Sequence, residues 1–259
     1  MFSTFKIWRR QGKQFIPDVT KVNLPEVFRG MPVISDVPCE EGCSGCADAC
    51  PTEAISLNPV KLDLGRCVFC GECERGCPAQ KIKFTPDFKT ATNDPELLVV
   101  KEGNAPKMEF NAKLIRQEIT DYFHGSLKLR QISAAGCNGC EAELNAAGNV
   151  NFDMGRFGID FVASPRHADG IVITGPISEN MSRATETCYI DTPDPKLIIL
   201  VGACAISGGI FRDSPALNRS FLNGKQVDLY VPGCPPHPLT FINGVLQFIR
   251  SGKKLRIEN

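Results

Sequence analysis

The second half of the chain alternates short apolar runs with longer amphipathic stretches. Apolar runs of strand-like length recur at 127–132, 159–163, 170–174, 196–201 and 227–231. Helical patterns follow at about 140–147, 178–190 and 238–250. Strands that alternate with helices are typical of a parallel sheet covered by helices on both faces. We therefore predict a doubly wound parallel-sheet α/β domain over residues 126–259.

A helix is also predicted ahead of this domain, over residues 111–123. Its apolar face comprises Ile115, Ile119, Tyr122 and Phe123. Arg116 falls off that stripe, and Gly125 ends the helix. A polar stretch marked by Gly and Pro comes before it. Residues 102–125 are therefore predicted to be a linker and helix between two domains.

Composition limits the classes of protein that need to be considered. At about 150 residues per domain, 259 residues correspond to roughly two domains. The net charge is zero, from 29 basic and 29 acidic residues, which argues against nucleic acid as a partner. No apolar run is long enough to cross a membrane. No apolar segment follows the N-terminal cations as in an export signal, so we expect a cytoplasmic location.

Cysteine is the most informative residue type, with 13 copies. An odd number in a chain without an export signal argues against disulfides and favours metal binding. The first two groups are Cys39, Cys43, Cys46 and Cys50, and Cys67, Cys70, Cys73 and Cys77. Both groups end in Cys-Pro, and the second has the C-x2-C-x2-C-x3-C-P spacing of proteins with two 4Fe–4S clusters. The first group differs by one extra residue after Cys39.

This spacing also predicts which thiolates share a cluster. Three cysteines on a short loop reach one cluster, while the proline after the fourth directs that cysteine to the other cluster. The two predicted sets are Cys39, Cys43, Cys46 and Cys77, and Cys67, Cys70, Cys73 and Cys50. Residues 36–101 are thus predicted to form an α+β ferredoxin-like domain with two 4Fe–4S clusters.

Four further cysteines lie just beyond the ends of predicted strands. They are Cys137, Cys140, Cys204 and Cys234. The carboxyl edge of an open α/β sheet is where such folds build ligand sites. Four thiols at this edge predict a third 4Fe–4S cluster.

Two other interpretations of the cysteines remain open. Cys43, Cys46, Cys67 and Cys70 have the spacing of a zinc ribbon, although this leaves both Cys-Pro pairs unexplained. Cys137 and Cys140 alone have the spacing of a redox-active pair, which leaves Cys204 and Cys234 without a purpose.

Four stretches resemble a known family. They are CNGCEAEL (137–144), RFGIDFVASPRHADGIVITGPIS (156–178), TPDPKLIILVGACAISGGIF (192–211) and VPGCPPHP (231–238). Through them, residues 126–259 resemble the small subunit of group 4 energy-converting nickel–iron hydrogenases, which is similar to the 20-kDa-type subunit of respiratory complex I. Residues 1–100, including VFRGMP at 27–32, resemble the two-cluster ferredoxin-type subunit of the same complexes. The chain therefore resembles a fusion of two subunits.

The resemblance implies a flavodoxin-like second domain whose cluster, held by Cys137, Cys140, Cys204 and Cys234, is the proximal one beside a partner's active site. It also implies a hydrogenase-type large subunit, antiporter-like membrane subunits, and a ferredoxin or dehydrogenase as electron donor. The location implied is peripheral, on the cytoplasmic side of the membrane. The x-x spacing between Cys137 and Cys140, and His237 in place of the usual arginine of complex I, favour the hydrogenase branch. A nickel-free complex I-like subunit and a freestanding polyferredoxin carrier are the alternatives.

The N-terminal arm, residues 1–35, is basic and aromatic, with six basic and two acidic residues. Such an arm docks on a membrane surface or on a partner subunit, and the alternative is a frayed terminus.

Other polar residues have more than one interpretation. Glu143, where complex I relatives also carry a carboxylate, is a proton relay or a local backbone partner. Glu141 ranks below Glu143 for such a role, since its side chain could point to solvent, and Cys188 is expected to be a buried structural thiol. No metal ligation is expected from the three histidines, His124, His167 and His237.

Overall fold

The computed structural model describes residues 2–12, 14–104, 108–116, 118–119 and 126–258. Among the helices of these ranges, none is both long and apolar enough to cross a membrane.

The first half of the chain consists of short helices and strands. The helices are α1 (Phe2–Gln11), α2 (Gly45–Asp48) and α3 (Glu72–Arg75). The strands are β1 (Pro32–Ile34), β2 (Ile55–Ser56), β3 (Lys61–Asp63), β4 (Ile82–Phe84) and β5 (Val99–Lys101). β1 pairs with β4, and β3 lies between β2 and β5, all in antiparallel register. Cysteines from both Cys-Pro groups lie in the core between these two small sheets.

The second half of the chain is a parallel sheet, as predicted. Its strands are β6 (Leu127–Ser133), β7 (Ile159–Phe161), β8 (Gly170–Thr174), β9 (Leu197–Val201) and β10 (Leu229–Val231). Its helices are α4 (Gly139–Ala147), α5 (Glu179–Asp191), α6 (Ala203–Ser207) and α7 (Pro238–Glu258). The spatial order β10-β9-β8-β6-β7 is the 2-1-3-4-5 order of flavodoxin-like folds. All residues of β8 and β9 are buried, because apolar clusters cover both faces of the sheet.

The linker begins differently from the prediction. Residues Ala112–Leu114 form one 3-10 turn instead of the start of an α-helix. The reason is that Asn111 is anchored in extended conformation: its N–H donates to Asn93 (2.8 Å), and its side chain accepts from Lys113 N. Ile115 is buried, as its place on the apolar stripe predicts, and so is Ile119.

The remaining features of the predicted linker helix, Tyr122, Phe123 and Gly125, lie outside the described residues, as does His124. Arg116 was expected to fall off the apolar stripe. It forms a bidentate ion pair with buried Asp228: Nε donates to Oδ1 (3.1 Å) and Nη2 donates to Oδ2 (3.0 Å).

Part of the N-terminal arm packs on the chain's own parallel-sheet half. Ile16 N–H donates to Asn151 O (2.8 Å), and the Asn243 amide donates to Val19 O (2.7 Å). Val19 is buried in the core of that half. By contrast, α1 exposes Phe5, Ile7 and Trp8. The arm is therefore an exposed helix followed by a segment held across the chain.

The two halves of the chain also meet directly. Thr92 and Tyr230 exchange backbone hydrogen bonds of 3.1 and 2.8 Å. Ile206, on α6, packs against the apolar clusters of both halves. Arg212 pairs with Glu53 at 2.9 Å and donates to Thr52 O at 3.3 Å. The contacts of Arg212 join the loop after Cys50 to the loop after Cys204.

Candidate iron–sulfur sites

One cavity in the first half is lined by four cysteines. They are Cys50, Cys67, Cys70 and Cys73. Its walls also include the apolar residues Ile55, Leu62 and Phe84. Cys50 comes from the first repeat and the other three from the second. The structure therefore brings together the four cysteines of one predicted crossed set.

Burial disfavours the ionised form of two of these thiols. It raises the pKa of Cys67 to about 12 and that of Cys73 to about 11, and thiolate neighbours add to both shifts. Thiolates crowded in an apolar site become stable when a cationic metal group balances their charge. Two backbone N–H groups already point at the sulfurs, from Ala54 to Cys50 (3.2 Å) and from Phe69 to Cys67 (3.3 Å). Such N–H···S contacts stabilise metal-bound thiolates.

The other crossed set is more open. Cys46 and Cys77 are buried, Cys43 is half-buried and Cys39 is exposed. The pKa of Cys46 is raised by burial first, and then by the neighbouring charges of Cys77 and Cys39. Lys81 N–H donates to Cys77 Sγ (3.3 Å). Cys77 thus lies beside the first repeat although it belongs to the second.

The third set assembles at the carboxyl edge of the parallel sheet. Cys137 precedes α4, Cys140 lies in its first turn, Cys204 lies in α6 and Cys234 follows β10. Burial raises the pKa of Cys140 to about 12, with contributions from Glu141 and the other three cysteines. Burial likewise raises the pKa of Cys204 to about 11, with contributions from Cys234 and Cys137. All four thiols are therefore close enough to influence one another.

Glycines leave the space that this third set needs. Gly202 has φ +88°, and a Cβ there would lie 2.5 Å from Cys140 Sγ. Gly209 has φ +55°, and its Cβ would lie 3.0 Å from Cys204 Sγ. A side chain at either position would displace a sulfur. Gly202 was not singled out from the sequence, although a glycine between a buried strand and a cysteine is a usable signal.

All three donor sets consist of thiols, which bind both iron–sulfur clusters and zinc. Within the described ranges, no three His, Cys, Asp or Glu side chains converge as ligands of one metal ion. Thiolates around one zinc ion lie about 3.8 Å apart, since Zn–S bonds are about 2.3 Å long. Cys50, Cys67, Cys70 and Cys73 line one cavity together, and four thiolates are the ligand set of a 4Fe–4S cluster.

The second and third sets are neighbours. Burial and Cys137 are the main causes that raise the pKa of Cys234, and the charge of Cys70 also contributes. Cys70 belongs to the enclosed cavity in the first half. The Arg212 contacts with Thr52 and Glu53 hold the same two regions together.

Glu141 does not point to solvent. Glu141 is buried, and its Oε1 accepts hydrogen bonds from Ser133 Oγ (2.6 Å) and Thr174 Oγ1 (2.7 Å). Ser133 and Thr174 end the adjacent strands β6 and β8, so the carboxylate ties together the strand ends beside Cys140. Glu143 is half-buried, and burial raises its pKa.

Cys188 and two of the histidines occupy positions outside the cysteine sets. Cys188 is half-buried in α5, and burial raises its pKa. His167 is exposed. His237 Nδ1 accepts from Leu239 N (3.2 Å), and its ring lies edge-on to Phe28 and Phe152. Burial lowers the pKa of His237.

The part of the chain that contains the third set is similar to known proteins. Residues 137–248 match the family described as the NADH ubiquinone oxidoreductase 20-kDa subunit. A protein named probable membrane-bound hydrogenase subunit mbhJ, from Pyrococcus furiosus, is 41% identical over 115 residues, which are 44% of this chain and 69% of that protein. The chain belongs to this family. All four cysteines of the third set fall inside the stretch that matches the 20-kDa-subunit family.

Other relatives of this 20-kDa-type chain have different names. A subunit of NADH-quinone oxidoreductase from Geotalea daltonii is 43% identical over 108 residues, 42% of this chain and 63% of that protein. Formate hydrogenlyase subunit 7 from Escherichia coli is 42% identical over 114 residues, 44% of this chain and 45% of that protein. The chain thus spans less than two thirds of these two relatives.

Proposed function

We propose that this chain is an electron-transfer subunit with three 4Fe–4S clusters. It connects an external donor or acceptor to the active site of a large catalytic subunit, in a membrane-associated complex of the group 4 nickel–iron hydrogenase type. The observation that carries the proposal is the cavity lined by Cys50, Cys67, Cys70 and Cys73, together with the electrostatic influence of Cys70 on Cys234 of the third set. Clusters bound there supply one-electron transfer.

Each of the two domains holds a different part of the electron-transfer path. In a ferredoxin-like domain over 36–101, the first two sets hold their clusters through crossed ligands. The third set belongs to the domain over 126–259. Apolar walls and N–H···S contacts at Cys67 and Cys50 exclude water and stabilise thiolates. Arg212 links the ferredoxin-like domain to the parallel-sheet domain. In the complexes that this chain resembles, these two domains are usually separate subunits.

The third set faces outward, which supports a partner at this surface. Cys137 and Cys234 are exposed, and Ile210, in the loop after Cys204, is 62% exposed. A large hydrogenase-type subunit covering this face would shield the cluster and bring its active site close. Attachment to antiporter-like membrane subunits, on the cytoplasmic side, would make this chain peripheral to the membrane. A ferredoxin or dehydrogenase would exchange electrons at the more open Cys39 set.

A second candidate is the equivalent subunit of a nickel-free complex I-like oxidoreductase. The observation in its favour is the 43% identity to the NADH-quinone oxidoreductase relative. The Cys137-x-x-Cys140 spacing and His237 favour the hydrogenase type. A freestanding polyferredoxin is less well supported, because a carrier does not need an exposed third set on a parallel sheet.

Nickel and hydrogen separate these candidates. The chain is purified anaerobically from its native host with its partners attached, and nickel is measured beside iron. The hydrogenase proposal predicts about one nickel per chain, and reduction of the iron–sulfur absorption by hydrogen gas. A complex with iron but without nickel, unchanged by hydrogen, would contradict it in favour of the complex I-like candidate. A stable monomer without partners would favour the carrier.

A further inference from the structure

Arg219 closes the end of the short helix that carries Cys204. Its guanidinium donates to four backbone carbonyls: Nη1 to Pro176 O (3.1 Å) and Cys204 O (3.0 Å), and Nη2 to Ala205 O (2.8 Å) and Ile206 O (3.0 Å). Three of these carbonyls belong to α6, whose C-terminal end attracts positive charge. Pro176 follows β8, so one side chain ties together the loops after β8 and β9.

The positive charge of Arg219 is not balanced by a protein carboxylate. Among the described residues, no Asp or Glu lies within ion-pair distance of its guanidinium, and burial lowers its pKa. Arg212, seven residues earlier, pairs with both Glu53 (2.9 Å) and Asp213 (3.2 Å). Arg219 is half-buried, and a guanidinium withdrawn from water is costly unless a negative group lies near. The negative group near Arg219 is the Cys204 thiolate, with which it interacts electrostatically.

We propose that Arg219 is a positioning residue of the third set, which fixes Cys204 and raises the reduction potential of the cluster held there. This inference rests on the proposed function. Reduction adds one electron, and so one negative charge, to the metal–thiolate group. A fixed positive charge nearby stabilises the reduced form more than the oxidised form. The potential should therefore fall when the charge is removed.

The test is a redox titration of the purified holo-complex, with dithionite as reductant and electron paramagnetic resonance as readout. The third-set signal is assigned by its change in Cys234→Ser. In Arg219→Gln, the ratio of oxidised to reduced cluster at a fixed potential should rise about ten-fold, or about 59 mV for a one-electron couple. Arg219→Lys keeps the charge and should shift the ratio much less. Arg250→Gln, which removes an exposed arginine in the later part of α7, is the control and should leave the ratio near that of the wild type.

An unchanged midpoint in Arg219→Gln with an intact signal would overturn the inference. Should Arg219→Gln fail to bind the cluster, Arg219→His provides the test, because its charge is lost as the pH rises. Its midpoint should fall further below that of the wild type at pH 9 than at pH 6, and a constant difference would overturn the inference. Absence of any third-set signal in the wild type would instead overturn the proposed function.

Discussion

At the scale of single residues, Gly202 is the position where space is most restricted. Gly202→Ala combines a left-handed φ of +88° with a methyl group 2.5 Å from Cys140 Sγ. The sulfur must move away from the other three cysteines. We expect iron to fall by about four atoms per chain, as for loss of one cubane, with the other two clusters retained.

Iron analysis and paramagnetic resonance of the purified variant measure this loss. Gly155→Ala is the control, because a Cβ at Gly155 meets no atom within 4 Å. Full iron content in Gly202→Ala would argue against a third cluster that uses Cys140.

The spacing of the cysteines predicts their sets, whereas local patterns do not predict their polar neighbours. The crossed set around Cys67 follows from spacing and proline alone, and the same four cysteines line one cavity. Glu141 and Arg219 escaped prediction because their roles depend on partners distant in the sequence. Thr174 is 33 residues from Glu141, and Pro176 is 43 residues from Arg219. Local patterns carry no information about such pairs.

At the scale of elements, the buried Arg116–Asp228 pair attaches the linker to the parallel sheet. Asp228 Oδ2 also accepts from Ile198 N (2.8 Å), so the carboxylate joins β9 to the segment before β10. Arg116→Met leaves that buried carboxylate without its cation. We expect a loss of about 3–5 kcal/mol in the free energy of unfolding.

The loss of unfolding free energy in Arg116→Met should grow as the pH rises. Burial already raises the pKa of Asp228, and Arg116 opposes that shift, so the variant raises the pKa further. A carboxyl with a raised folded-state pKa loses stability as it ionises, which happens as the pH increases through the folded-state pKa. Anaerobic thermal unfolding at pH 5 and pH 8 measures the effect, and exposed Lys113→Met is the control. Equal destabilisation at both values would contradict this role of the pair.

Periodicity predicted the elements of the parallel sheet better than those between the halves. β8 matches its predicted bounds because both of its faces are buried and the run is continuously apolar. α6 was not predicted, since five residues after a glycine carry no helical period. The 3-10 turn at Ala112–Leu114 replaces the predicted helix start because the Asn93–Asn111 pair, a tertiary contact, overrides the local pattern.

At the scale of the whole molecule, contacts from several elements join the two halves of the chain. The Thr92–Tyr230 bridge, Ile206 and Arg212 connect the two halves near the second and third sets. The segment from Ile16 to Val19 crosses back to the parallel-sheet half. None of these contacts follows from sequence patterns, because they depend on how two independently recognisable halves meet.

The most direct test of the central claim is the iron and acid-labile sulfide content of the anaerobically purified chain with its partners. Three clusters predict about 12 iron and about 12 sulfide per chain. Cys50→Ser should lower both numbers by about four, while Cys188→Ser, outside all three sets, should change neither. Abundant zinc with little iron or sulfide in the wild-type chain would contradict the claim that this protein is an iron–sulfur electron relay.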